Sequence, residues 1–339
     1  MIVTPKDNKE LYYRLIAMWV VCEAFAGGIL HAAKVPFAGM VVSGLAVSCI
    51  IFIAYFIPSK TNILKATVTV VVFKLMLSPY APPTAYIAVF FQGVMGQILF
   101  RNQRYFRLSA LVLSILALTE SAVQRLLVLL IVYGKSFWLA TDEYLNKLVG
   151  SGNTHYSLLL ACIYISIHSV AGLVIGIYAV RLAKRTERSC EAHPELLIPK
   201  QLEDTMVATT PRKKFKVKWL FVMIWLTLIV VFFHAYADPT HAILPSGETL
   251  KILLRSLLIV LTWYLVLVPL IMRMVRAKMD AIKNEQHLPI KEIMYLLPGI
   301  KNIFMQSRSL SASQKGLGRL KLFLKMVTVN ILTGRSGKV

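Results

Sequence analysis

The sequence predicts an all-α, polytopic membrane bundle, and three observations predict it. Long apolar runs recur along the whole chain, short loops separate them, and the basic loops fall on every second gap. A helical crossing of a bilayer takes about 20 apolar residues. A chain of 339 residues that is 57% hydrophobic, with a mean hydropathy of +0.65, holds several of them. Hydrophobic length places about eight crossings, at roughly 11–32, 39–57, 62–79, 83–100, 107–133, 154–180, 217–236 and 250–272. The first run carries Glu23 inside its core and is followed by no small-residue cleavage site, so it reads as a retained helix rather than a secretory signal.

The gaps orient these runs. Lys6, Lys9 and Arg14 precede the first; Lys60 and Lys65 lie near 58–65; Arg101, Arg104 and Arg107 lie near 101–107; the segment 181–218 is dense in Lys and Arg. The intervening gaps, near 33–38, 79–84, 134–153 and 237–249, are poorer in base and hold Asp142, Glu143, Asp238 and Glu248. Positive charge is retained on the cytoplasmic side, which puts both termini there. Four regions follow: a membrane unit of about six crossings over 1–182, a cytoplasmic linker over 183–216 with Pro194, Pro199 and Pro211, a transmembrane hairpin over 217–272, and basic amphipathic cytoplasmic helices over 273–339.

The formal charge of +22 raises the question of nucleic acid, and its distribution answers against it. Most of the bases gather on one face of the membrane and in the C-terminal tail, where anionic lipid or an acidic partner meets them. Cys22, Cys49, Cys162 and Cys190 are scattered without metal-ligand spacing and read as small core residues, so no metal or cofactor is expected.

The chemistry sits in residues that do not belong in lipid. Glu23, Lys74, Glu120, Arg125 and His168 all fall inside expected crossings, and an ionisable group at the bilayer centre costs on the order of 3 kcal/mol. At a rise of about 1.5 Å per residue, Glu23, Lys74 and Glu120 lie roughly 17–21 Å from the cytoplasmic ends of their helices, with Arg125 nearer the outside. Gln92 lies mid-crossing, and Glu120 with Gln124, like Ser121 with Arg125, shares a helix face. This layer is either a polar pocket open to the outside or a set of interhelical ion pairs, Glu23 or Glu120 with Lys74 or Arg125, that hold helix order. For His168 alone, a hydrogen bond to a neighbouring helix is expected. Two short external segments flank the layer. GGILHAAKVPFAGM at 27–40, with His31, suits a re-entrant turn, and LMLSPYAPPTAY at 75–86 sets Tyr80 and Tyr86 in a stiff turn that is either a lid or an interfacial anchor.

The stretch 27–100 carries a short VPFAG turn, a crossing ending in FIPSK, a third ending in KLMLSPYAPP and a fourth reading AYIAVFFQGVMGQILF. In this it resembles the integral substrate-binding S components of energy-coupling factor (ECF) transporters, over about residues 11–182. The resemblance implies a bundle that captures a vitamin, other micronutrient or metal ion outside and delivers it inward, in a bacterial inner membrane, with a T component and ATPase subunits as partners. On that reading Glu23, His31, Lys74, Tyr80, Gln92, Glu120 and Arg125 bind substrate. The family's first helix presents small residues to its coupling protein, and here Ala24 and Gly28, with Ala17 further back, form such a surface.

Segment 273–339 sets apolar residues such as Ile293, Leu296 and Leu297 at helical spacing amid Lys and Arg. Such helices lie on a membrane surface or dock on a partner. They are similar to the coupling helices of the T component, although Gln306-Ser307-Arg308-Ser309 does not match that family's Ala-Arg-Gly motif. Leu296, Leu297 and Arg308 are the expected coupling residues, with anionic lipid as the other expected partner. The chain has no GxxxxGK[ST] loop, no HExxH and no nucleophile elbow, so it is read as no enzyme, with ATP hydrolysis left to other subunits. The alternative reading is a membrane scaffold or lipid-associated membrane enzyme whose basic tail recruits a partner.

Overall fold

The computed structural model describes residues 5–32, 37–78, 81–150, 155–192 and 290–333, with Ser256, Leu257, Leu270 and Arg273. The linker beyond Ala192, the expected crossing at 217–236 and nearly all of that at 250–272 lie outside the described residues. Every extended element described is a helix: α1 (Pro5–Val21), a π-helical turn (Cys22–Ala26), α2 (Gly27–Ala32), α3 (Ala38–Phe56), α4 (Asn62–Leu77), α5 (Pro83–Leu99), α6 (Phe106–Val149), α7 (Tyr156–Ala192), α8 (Ile290–Leu310) and α9 (Gly316–Thr333), with short 3-10 turns at Gln103–Tyr105 and Ser311–Ser313. Among the described residues there is no strand.

Three helical segments are long and apolar enough to cross a bilayer: Ala38–Phe56, Gln103–Lys135 and Tyr156–Glu187. The protein is therefore a helical membrane protein. Helix α5 is apolar but shorter. Helix α4, at 16 residues, spans about 24 Å, less than the roughly 30 Å of hydrocarbon.

The described residues form two compact units, one of residues 5–125, 159–192 and 290–333, the other of 126–150 and 155–158 with the four isolated residues. In the first, α1 is the central helix: Leu15, Ile16, Ala17, Trp19 and Val20 are almost wholly buried. Around it pack α3, α4, α8 and α9. One continuous core joins Trp19 and Leu15 to Ile50 and Ile53 of α3, Phe73 of α4, Leu113 and Leu118 of α6, Ile293 and Ile300 of α8 and Ile331 of α9. The C-terminal helices thus place their apolar faces in the same core as the membrane helices.

Close backbone approach sets the packing of two helix pairs. A Cβ on Gly93 of α5 would lie 1.9 Å from Thr67 Oγ1 of α4, and one on Gly172 of α7 would lie 2.6 Å from the Ser114 carbonyl oxygen of α6. Small residues let helices approach this closely in lipid, where van der Waals packing drives association. Thr119 and Ser169 hydrogen-bond across α6 and α7 at 2.8 Å. At one end of the bundle Tyr55 donates to Glu187 Oε2 at 2.7 Å, and Thr186 and Thr328 meet at 3.1 Å, tying α3 and α9 to α7.

In the second unit the expected loop at 134–153 is corrected. Gly134 takes φ 73° and ψ −164°, a conformation open in practice only to glycine, and ends the first part of α6 where the apolar run ends. The chain then resumes as helix to Val149. Lys147 pairs with Glu143 at 2.7 Å, one turn apart, which supports that extension. Asp142 Oδ1 accepts from the Ser157 backbone N–H at 2.6 Å, so it caps the first turn of α7 from another helix. That bond, ahead of the His155 side chain at 3.6 Å, holds the Asp142 carboxyl below the usual carboxylate range. Asp142, which the sequence places in a gap between crossings, thus has a structural partner. Helix α7 likewise runs on to Ala192, so the polar stretch after 182 starts as helix.

Candidate functional site

The polar layer is built around an interruption in the first long helix. At the π-helical turn the Gly27 N–H bonds the Cys22 carbonyl five residues back, which widens the helix by one residue at Glu23. Such turns recur at functional positions because they leave the local backbone ladder irregular. Lys74 of α4 donates from Nζ to Glu23 Oε2 at 2.7 Å and to the Ala85 carbonyl at 3.1 Å. Its Nζ lies 5.9 Å from the centre of the Tyr86 ring, and Tyr86 itself donates to the Ser78 carbonyl at 2.8 Å. The side chains of Lys74 and Glu23 are 8% and 2% exposed, so each charge depends on the other for its compensation.

A second polar contact joins α5 and α3. Gln92, 1% exposed, donates from Nε2 to Ser43 Oγ at 3.2 Å, while its Oε1 is occluded and has no partner among the described residues. Glu120 of α6 accepts from Gln124 Nε2 at 2.8 Å on Oε1, and its occluded Oε2 has no such partner either. The Trp19 indole N–H is a third occluded group with no partner among the described residues. Each has hydrogen-bonding capacity that the described protein groups leave unused.

The other expected residues are placed as follows. Arg125 is exposed on α6 and makes no ion pair with Glu120 among the described contacts. His168, 1% exposed, meets the carbonyl of Tyr164 in its own helix at 2.9 Å, and not a neighbouring helix as expected. Its ring lies 4.3 Å from that of Tyr164 and 6.0 Å from that of Phe37, centre to centre. Phe37 holds the left-handed conformation, φ 59°, at the start of α3, a strained choice for a residue with a Cβ. Tyr80 lies outside the described residues, and so does the side chain of His31.

Of the expected coupling residues, Ala24 is buried, Gly28 is exposed with nothing near its Cβ position, and Arg308 is exposed. Leu296 and Leu297 are half-buried and pack against the main core rather than standing free. An open surface groove of about 520 Å³ runs along α7, lined by Cys162, Ile163, Ser166, Ile167, Val170 and Ala171; it is apolar and contains none of the ionisable residues above. Among the described residues no group of His, Cys, Asp or Glu could hold a metal ion.

Sequence reasoning did not foresee Ser43 and the Ala85 carbonyl as partners. A serine in an apolar run, one of two with Ser48, was the available signal for the first; a backbone carbonyl leaves none. The fold and these contacts define a class, a helical membrane protein with a buried interhelical ion pair. No family model matches the chain, and no curated protein and no solved structure is significantly similar to it.

Proposed function

We propose that the chain is the membrane-embedded capture subunit of an ECF-type importer for a vitamin, other micronutrient or metal ion, powered by separate ATPase subunits. The observation that carries the reading is the buried Glu23–Lys74 pair, held on a π-helical turn of the same helix that packs against α8 and α9. In this reading the pair is the closed, ligand-free state of the site. A polar ligand takes over one or both charges, the π-turn changes its pairing, and α1 carries the change to the C-terminal helices. Both termini are cytoplasmic, about eight helices cross a bacterial inner membrane, and Gln92 and Glu120 supply further acceptors to the ligand.

A second reading, a non-transporting membrane scaffold, is favoured by the completeness of the Glu23–Lys74 pairing, which a purely structural bridge would share. The two readings part in one experiment. Full-length protein in lipid nanodiscs is screened against water-soluble vitamins and divalent metal ions by equilibrium dialysis, beside the double variant Glu23→Leu/Lys74→Met. The importer reading expects a ligand that the parent retains and the folded double variant does not. Equal binding by a stable double variant removes the pair from the site, and a parent that retains none of the panel favours the scaffold.

A further inference from the structure

The C-terminal helices have a second face, opposite the one in the core. On α8 it runs through Lys291, Met294, Pro298, Lys301, Met305 and Arg308, spaced alternately three and four residues apart and all exposed. This spacing lines one side of a helix. Tyr295 beside it is 87% exposed, and at the start of α9 Leu317 and Leu320 are 76% and 52% exposed. Residues 290–333 carry seven lysines and arginines against Glu292 alone.

The depth of this pair of helices follows from what it touches. The helical segment Tyr156–Glu187 carries an apolar spanning run that is followed by Arg181, Lys184, Arg185 and Glu187. Charged side chains at the end of a crossing lie in the headgroup layer or the water beyond it, so the Glu187 end of this segment falls at or just outside headgroup level. Thr186, one residue before that end, bonds Thr328 of α9, and Glu187 bonds Tyr55, one residue before the end of the spanning helix α3. Two membrane helices therefore end at the level where α9 is attached.

We propose that the basic, Met- and Leu-bearing face of α8 and the first turns of α9 rests in the anionic headgroup layer of the membrane, with Leu317 and Leu320 inserted below the phosphates. The chemistry recognised is a sheet of lipid phosphates over acyl chains. Basic residues give affinity for the charge, while exposed leucine and methionine gain from burial in the acyl boundary. The surface is the outer side of a two-helix pair with flexible apolar side chains, which a deformable lipid layer fits. The proposal goes beyond the uptake reading and holds equally for a scaffold.

The test uses full-length protein carrying Leu320→Cys, with the four native cysteines replaced by serine or alanine, labelled with bimane. It is placed in nanodiscs of phosphatidylcholine alone or with about 30% phosphatidylglycerol, each containing a lipid with a shallow doxyl quencher. The expected result is strong quenching in the anionic discs and several-fold weaker quenching in the neutral ones. Each basic residue near an anionic surface multiplies binding by about fivefold. The variant Lys315→Gln/Arg319→Gln/Lys321→Gln, which changes only exposed side chains, should lose the lipid-charge dependence, as should the parent in high salt. Quenching that is weak in both discs, or equal in both, overturns the proposal. Protection of the label by a soluble protein but not by anionic lipid assigns the face to a protein partner and overturns it as well.

Discussion

Replacing Lys74 with methionine leaves a buried carboxylate without a cation. Glu23 has a side chain only 2% exposed, and its Oε2 receives the Lys74 ammonium at 2.7 Å; the same ammonium also satisfies the Ala85 carbonyl. Removing one member of a buried pair costs about 3–5 kcal/mol, most of it the penalty of the orphaned charge, whereas replacing both by apolar groups of similar volume is neutral or stabilising by about 1–4 kcal/mol. Lys74→Met should therefore be destabilised by about 3–5 kcal/mol, and Glu23→Leu/Lys74→Met should regain all of it. For a folded unit of 150–250 residues, 1 kcal/mol moves Tm by about 2–4 °C, so the single variant should unfold on the order of 10 °C below the parent. Thermal unfolding in detergent, followed by fluorescence-detected size exclusion of the surviving monodisperse protein, reads all three proteins side by side. A single variant within about 1 kcal/mol of the parent would mean that water or another group reaches Glu23. A double variant as unstable as the single one would mean that the residues act through shape rather than charge. Either result refutes the reasoning.

Gly172→Ala should cost about 1–3 kcal/mol, because its Cβ would meet the Ser114 carbonyl and the Ile115 Cα, backbone atoms that cannot swing aside; Gly28→Ala, with open space, should be neutral or slightly stabilising in the same unfolding assay. The Asp142 cap should be pH-dependent. Its carboxyl is held low by the Ser157 N–H, so its contribution is fully present above the ordinary Asp value of about 3.9 and is lost as pH falls through the lower folded value. Amide hydrogen exchange at Ser157, corrected for intrinsic rate, should thus accelerate below about pH 4, and Asp142→Ala should show the faster exchange at every pH. Under the proposed orientation, a membrane-impermeant maleimide applied to intact cells should label a cysteine introduced at Ser151 but not at Glu203 or Ser313; labelling at position 203 would reverse the sides.

The positions of α1 with α2, α3, α4, α5, the first part of α6, and α7 were legible as apolar runs, because a long hydrophobic stretch bounded by polar or glycine-bearing loops has few other ways to satisfy its backbone. The break at Gly134 was legible as the end of the run that closes at 133. What hydrophobicity cannot report is which of these helices is central. In the spanning window of α3, 61% is buried in the protein, against 17% and 11% in those of α6 and α7, yet their mean hydropathies are similar, at 2.2, 1.9 and 2.3. Lipid and protein core select the same side chains, so the sequence carries no mark of which one a residue faces. Helix α1 became the hub only through packing that includes Ile293, Ile300 and Ile331, which lie in the 273–339 segment that sequence alone assigned to a surface or a partner.

The candidate site divides in the same way. That Glu23, Lys74 and Glu120 needed compensation followed from the cost of charge in a membrane. Which of them paired did not, since two acids and two bases at similar depth allow several assignments. The choice of Glu23 with Lys74 depends on the side-by-side contact of α1 and α4 and on one extra residue in the π-turn, a register difference that leaves no trace in the spacing of apolar residues. Charge and hydrophobicity are properties of residues and can be read one at a time; pairing and centrality are properties of helix neighbours, and only the tertiary structure sets those.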